Sequence, residues 1–264
     1  MNKCFNETGD IQYILHFPGM NFEESSKDFT FYKDLKFEVS PEISLISVFN
    51  STCEDSILCQ QCKNNNLNLI NSDAALAVPD GKWYQPDKID FILECLYKVN
   101  TKYALVMDSR DVIIVNDLTN NFISTFESLN TPFIFNAQPN RYPNIQIEPM
   151  KVYLYKSQVR FLNGGVSFGL REELIKFYEY ARLIRDNNGS GFINNGVPSE
   201  QFFLRIALTT YNDGNYLIDG VDHGRKLISI IHYSDNCSYK NEDGDFIIKL
   251  KLKDNMYKGN YFAS

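Results

Sequence analysis

Positive charge is in short supply in this sequence: 26 lysines and arginines stand against 33 aspartates and glutamates in 264 residues, a formal net charge of −7. No global field therefore exists to attract nucleic acid or anionic lipid, and an anionic ligand must be held by local groups. Long apolar runs are also missing. The longest, such as Tyr103 to Met107, fall far below the roughly 18 residues that a membrane-spanning helix needs. Near the start, Lys3 is followed by Asn6, Glu7 and Asp10 where a secretion signal would have its apolar segment, so the expectation is a cytoplasmic chain with no integral membrane segment. Six cysteines are too few for a disulfide scaffold. Cys59 and Cys62 do form a C-x-x-C, with Cys53 just upstream, a spacing that suits zinc or redox chemistry. No second metal-ligand pair accompanies it, and small thiols are common core residues. Internal repeats, low-complexity tracts and Pro/Gly/Ser linkers are absent too. One domain over residues 43–264, with residues 1–42 as a lead-in packed on it, is the simplest organisation.

What the sequence does have is alternation. Ile43 to Phe49 is a β-rich run, Glu54 to Lys63 suits a helix, Asn64 to Asn66 break it, and Leu67 to Ile70 reads as the next strand. Pro86 opens a helix whose apolar positions Ile89, Ile92, Leu93, Leu96 and Val99 keep the 3.6-residue period. Tyr103 to Met107 is continuously apolar, as a strand buried on both faces should be. Later segments read as strands at Pro132 to Asn136, Phe161 to Phe168 and Leu227 to Ile231. Helices are expected over Arg171 to Arg185 and from about Ser199. Phe246 to Leu252 alternates with Lys249 and Lys251, the pattern of an exposed edge strand. Strands alternating with helices of this length predict an α/β fold with a mostly parallel central sheet flanked by helices.

Chemistry concentrates where the buried strand Tyr103 to Met107 ends in Asp108, Ser109, Arg110 and Asp111. Ligands of open α/β sheets bind at the carboxyl ends of strands, and two acids three residues apart in a tight turn can converge on one cation. Hard oxygen donors select Mg²⁺ or Mn²⁺, and such an ion would let an acidic protein hold a nucleotide diphosphate. Capping of a turn by its own acids is the simpler alternative. Downstream, Asn163, Gly164 and Gly165 place an amide beside paired glycines, a combination that lets a ligand approach the backbone or, more plainly, makes a bulge. Glu200 and Gln201 open a helix. His232 follows a late strand, and a neutral imidazole there would serve as a third ligand for Mn²⁺.

The succession Asp108 to Asp111, Leu162 to Gly165, Glu200 with Gln201, and Ile231 with His232 resembles that of metal-dependent glycosyltransferases of the GT-A type. More narrowly, it is similar to the glycosyltransferase domain of the collagen-modifying lysyl hydroxylases and related sugar transferases. That resemblance implies a GT-A fold and a hexosyltransferase-like activity, in which Asp108, Asp111 and His232 bind Mn²⁺ that grips the diphosphate of a UDP-sugar. Lys88 resembles a family lysine near the donor phosphates. Arg110 stands where the family has an aromatic residue on the donor base, and a guanidinium can itself stack on a ring or pair with phosphate. The acidic cluster of the family is reduced to Glu200.

On this reading the protein moves a sugar from a nucleotide-sugar donor to a glycan or other hydroxyl acceptor. Glu200 serves as acid/base or orients the acceptor, while Asn163, Gly164, Gly165 and Gln201 shape the substrate pocket and Trp83 either offers an aromatic platform or packs in the core. Two other readings are a nucleotidyl or other phosphoryl-group transferase on a similar sheet, and a non-catalytic glycan-binding module.

Overall fold

The computed structural model describes residues 4–6, 8–18, 33–50, 56–79, 82–139, 161–188, 199–211, 220–222, 225–230, 236–240 and 246–250. In chain order the first elements are β1 (Cys4–Asn6), β2 (Ile14–His16), β3 (Ile43–Ser47), α1 (Ile57–Asn64), β4 (Leu69–Ile70) and the short α2 (Asp73–Leu76). A 3₁₀ turn (Gln85–Asp87) then leads into α3 (Lys88–Lys98), β5 (Tyr103–Met107), β6 (Val112–Ile114), α4 (Asn120–Glu127), β7 (Phe133–Gln138) and β8 (Phe161–Leu170). The chain continues through α5 (Arg171–Asn188), α6 (Glu200–Thr210), β9 (Ile228–Ile230), β10 (Asn236–Lys240) and β11 (Phe246–Leu250).

Local chemistry explains the boundaries. The helix expected from Glu54 begins at Ile57, because Ser56 is extended and its Oγ accepts the Cys59 N–H, satisfying one orphan donor of the first turn. Asn66 ends that segment with φ +54°, a left-handed conformation that asparagine tolerates better than most residues. Helix α3 starts after Pro86 and buries Ile89, Ile92, Leu93 and Leu96, the predicted stripe. Among the described residues no helix is long and apolar enough to cross a membrane.

The fold is α/β, built on a five-stranded sheet of order β4-β3-β5-β8-β7. Strands β4, β3 and β5 are mutually parallel, whereas β8 runs antiparallel to both β5 and β7. The central sheet is thus mixed, which corrects the expectation of a mostly parallel one. The segment Phe161 to Phe168 is buried along its length, but burial carries no information about strand direction. The expected edge strand is likewise an inner one, since β11 pairs with β1 on one side and β10 on the other. A period-2 pattern marks one polar face of a strand, not a free edge.

Both faces of the central sheet are covered. Ala104 and Val106 of β5 and Phe133, Phe135 and Ala137 of β7 pack with apolar residues of α3, α5 and α6. Tyr103, Leu105 and Met107 turn the other way, toward α1, α4, β2 and β6. On that side Phe168 has the rings of Tyr103, Phe122 and Phe126 at 5.5, 4.6 and 4.8 Å. A second sheet, β6-β2-β9, has β2 in its centre, antiparallel to β6 and parallel to β9. The link from β5 to β6 is the acidic turn 108–111, so that turn joins the two sheets.

Candidate metal centre

Strand pairing, not sequence proximity, assembles the site. His16 is the last residue of β2 and lies opposite Val112, the first of β6, while the Phe17 N–H donates to the Asp111 carbonyl over 2.8 Å. The ladder therefore sets His16 beside the acidic turn. On the other flank the Asp108 N–H donates to the Gly165 carbonyl over 2.7 Å, which locks the turn against β8. His16 Nε2 lies 3.8 Å from Asp108 Oδ2 and 3.5 Å from Asp111 Oδ2. One ligand atom from each of the three residues falls within 4.8 Å of the other two.

Lys88 lies at the start of α3 and is 5% exposed. Its ammonium bonds Asp108 Oδ1 and, at 3.2 Å, Glu200 Oε1. Asp108 thus divides its oxygens, one on Lys88 and the other toward His16. Burial pushes the Asp108 carboxyl up and Asp111 adds to that, while Lys88 and His16 pull it down; the net direction is up. Asp111 goes the other way: burial again raises it, but the His16 imidazole and Lys88 more than offset that. Burial alone would lower the Lys88 ammonium, but Asp108 and Glu200 hold it above its ordinary value. Lys88 thus pairs directly with two of the three carboxylates, Asp108 and Glu200, and acts on Asp111 from farther off.

The paired glycines sit in an irregularity of the β7–β8 ladder. Phe135 pairs with Ser167 but the next residue, Asn136, pairs with Asn163, so residues 164–166 bulge out of the β7 pairing. Asn163 Oδ1 accepts the Gly165 N–H at 2.8 Å, and its Nδ2 donates to Gln138 Oε1 at 2.9 Å. Gln201 Oε1 accepts the Gly164 N–H at 3.0 Å, tying α6 to the bulge. A Cβ on Gly165 would overlap the His16 ring and stand 2.8 Å from Asp108 Oδ2. Only glycine leaves the imidazole and Asp108 that space.

Of the residues expected from sequence, Lys88, Asp108, Asp111, Gly164, Gly165 and Glu200 come together, with Asn163 and Gln201 holding the bulge. Arg110 is exposed between the two acids. Trp83 packs with its ring 5.3 Å from that of Phe91. His232 lies outside the described residues, as does Cys53. Cys59 and Cys62 are buried, and burial, with the Cys59 thiol nearby, pushes Cys62 up to about 12, so the reactive thiolate is disfavoured there.

The histidine that sequence reasoning missed is His16. Its signal is present: Tyr13, Ile14 and Leu15 are an apolar run ending on a histidine, just as Leu227 to Ile231 end on His232. The two runs are neighbours, since Ile230 pairs with His16 across β2 and β9.

A cation fits the donor set. His16 is 1% exposed and its Nε2 has no close hydrogen-bond partner among the described residues, an orphan that a buried polar atom rarely remains. One nitrogen with two carboxylates suits Mn²⁺, Mg²⁺ or Zn²⁺. No protein-family model matches the chain, and no curated protein matches it.

Proposed function

We propose that the protein is a divalent-metal-dependent glycosyltransferase of the GT-A kind, taking a sugar from a nucleotide-diphosphate donor such as a UDP-sugar and passing it to an acceptor hydroxyl. The observation that carries this reading is the convergence of His16 Nε2, Asp108 and Asp111, one ligand atom from each within 4.8 Å of the others, at the carboxyl end of β5. Strand ends of open α/β sheets are where such ligands bind. The resemblance of the Asp108 to Asp111, Leu162 to Gly165 and Glu200–Gln201 segments to sugar transferases supplies the reaction type.

In this proposal His16, Asp108 and Asp111 hold Mn²⁺ or Mg²⁺, with His232 a further ligand by resemblance. When bound, the ion supplies electrostatic stabilisation of the charge that develops on a departing diphosphate. The chain's own residues do the rest. Lys88 keeps Asp108 and Glu200 fixed relative to each other through its two ion pairs. Gly164 and Gly165 leave the space beside His16 open. Glu200 accepts the proton of the acceptor hydroxyl as its oxygen bonds to the anomeric carbon, and the bond from that carbon to the diphosphate breaks with its electron pair.

Calorimetry with Mn²⁺ and a panel of nucleotide sugars tests the reading. Wild type should bind a donor only with metal, and Asp108→Asn should lose that binding. Turnover should release nucleoside diphosphate; release of pyrophosphate would replace the proposal with nucleotidyl transfer. Full donor affinity in Asp108→Asn would refute it.

A further inference from the structure

Behind His16 lies a second buried group without a settled partner. Asn136 of β7 is fully buried, and its Nδ2 lies 2.9 Å from His16 Nδ1. Its Oδ1 has no hydrogen-bond partner among the described residues. With Nδ2 as donor, Nδ1 of a neutral imidazole must be the acceptor and the ring proton sits on Nε2. That tautomer aims an N–H at the two carboxylates, a sensible arrangement without a cation. It also blocks coordination, because Nε2 then has no free lone pair.

The planar amide resolves the conflict with one motion. Turned by 180° about its Cβ–Cγ bond, it presents Oδ1 to Nδ1, which then carries the proton, and Nε2 offers its lone pair toward Asp108 and Asp111. In that state an unoccupied site would set a lone pair against two anionic groups, so the tautomer and the cation require each other. Ligating histidines generally donate their second N–H to such an acceptor, which fixes ring orientation and raises basicity.

We propose that Asn136 is a positioning residue that sets the His16 tautomer, its amide donating to Nδ1 in the metal-free protein and accepting from Nδ1 in the metal-bound one. This rests on the reading of His16, Asp108 and Asp111 as a metal centre, and it assigns to β7 a part in metal binding that no motif in the sequence announces. The pairing of Asn136 with Asn163, directly beyond the ladder irregularity, holds the amide in place behind the imidazole.

The ¹⁵N shifts of the histidine rings, with His16 assigned by loss of its signals in His16→Gln, test the proposal in the wild-type protein. Without metal, Nε2 should be the protonated nitrogen; with diamagnetic Zn²⁺, Nδ1 should be. The same protonated nitrogen in both states would overturn it. Titration with Mn²⁺ alone provides the second arm. Asn136→Leu, which cannot accept, should weaken binding about 10- to 100-fold, whereas Asn136→Asp, which always accepts, should match or exceed wild type. If Asn136→Leu binds Mn²⁺ within about twofold of wild type while Asp108→Asn does not bind, the role of Asn136 fails and the metal centre stands. If His16→Gln and Asp108→Asn both bind as wild type does, the metal centre itself fails. Should Asn136→Leu not fold, Asn136→Asp and the wild-type shifts still decide.

Discussion

At Gly165 a single hydrogen atom in place of a methyl group keeps the site open. A Cβ there collides with the imidazole of His16 and crowds Asp108, neither of which is the far end of a flexible chain. Gly164 is different: its Cβ would meet Leu204 Cδ1 at 3.3 Å and Glu200 Oε1 at 3.4 Å, contacts that small side-chain shifts relieve. Gly165→Ala should therefore lower Mn²⁺ affinity by about tenfold or more, as displaced ligand supports do, while Gly164→Ala stays close to wild type in the same titration. Equal affinities for the two variants would show that the imidazole does not take part. Sequence alone points to Gly164 and Gly165 together, because a pattern records residue types. Which of the two faces the ligands depends on the bulge, and that is set by pairing with β7. The same limit applies to His16: the apolar run that ends on it is plain in the sequence, but the pairing of β2 with β6 that carries it to the acidic turn has no local signal.

Between elements, a carboxylate on α3 pins the start of α2. Ser72 caps α2 by accepting the Ala75 N–H at 3.0 Å and donates its own hydroxyl to Glu94, which also accepts the Asp73 N–H at 3.0 Å and Lys98 Nζ at 2.6 Å. Burial pushes the Glu94 carboxyl up, but hydrogen bonds from Lys98, Ser72 and Asp73 outweigh it and bring it to about 2 from an ordinary 4.5. A folded-state value below the unfolded one means stability that is complete above about 4.5 and lost as pH falls toward 2. Glu94→Gln should melt about 2 to 4 °C below wild type at pH 7, the shift of roughly 1 kcal/mol in a chain of this size. The gap should close between pH 4.5 and 2 in thermal melts; a gap independent of pH would show that the charge on Glu94 contributes nothing. Elements of this kind are the legible part of the fold. The stripe of α3, the strand Tyr103 to Met107 and the asparagine stop after α1 follow from periods and turn chemistry within a dozen residues. The direction of β8 and the inner place of β11 do not, because pairing partners lie far away in the chain.

Across the whole molecule, the proposed ligands come from opposite sides of a junction between two sheets. His16 belongs to the centre of β6-β2-β9, Asp108 follows a strand of the five-stranded sheet, and Asp111 precedes β6. Lys88 and Glu200, at the starts of α3 and α6, close the group from the helical layer. A cation bound here would cross-link segments more than ninety positions apart in sequence, counting from His16 to Asp108. An unfolded chain cannot present those groups together, so binding must favour the folded state. At a metal concentration about 100 times the dissociation constant the gain is about 2.7 kcal/mol. In a protein of this length that raises the melting temperature by roughly 5 to 10 °C. Thermal melts with Mn²⁺ should show that rise in wild type and lose it in His16→Gln, whose amide side chain supplies no imidazole lone pair. Loss in Asp108→Asn but not in His16→Gln would confine the ion to the 108–111 turn. The junction of the two sheets would then be a packing contact, and β2 would have no share in the chemistry.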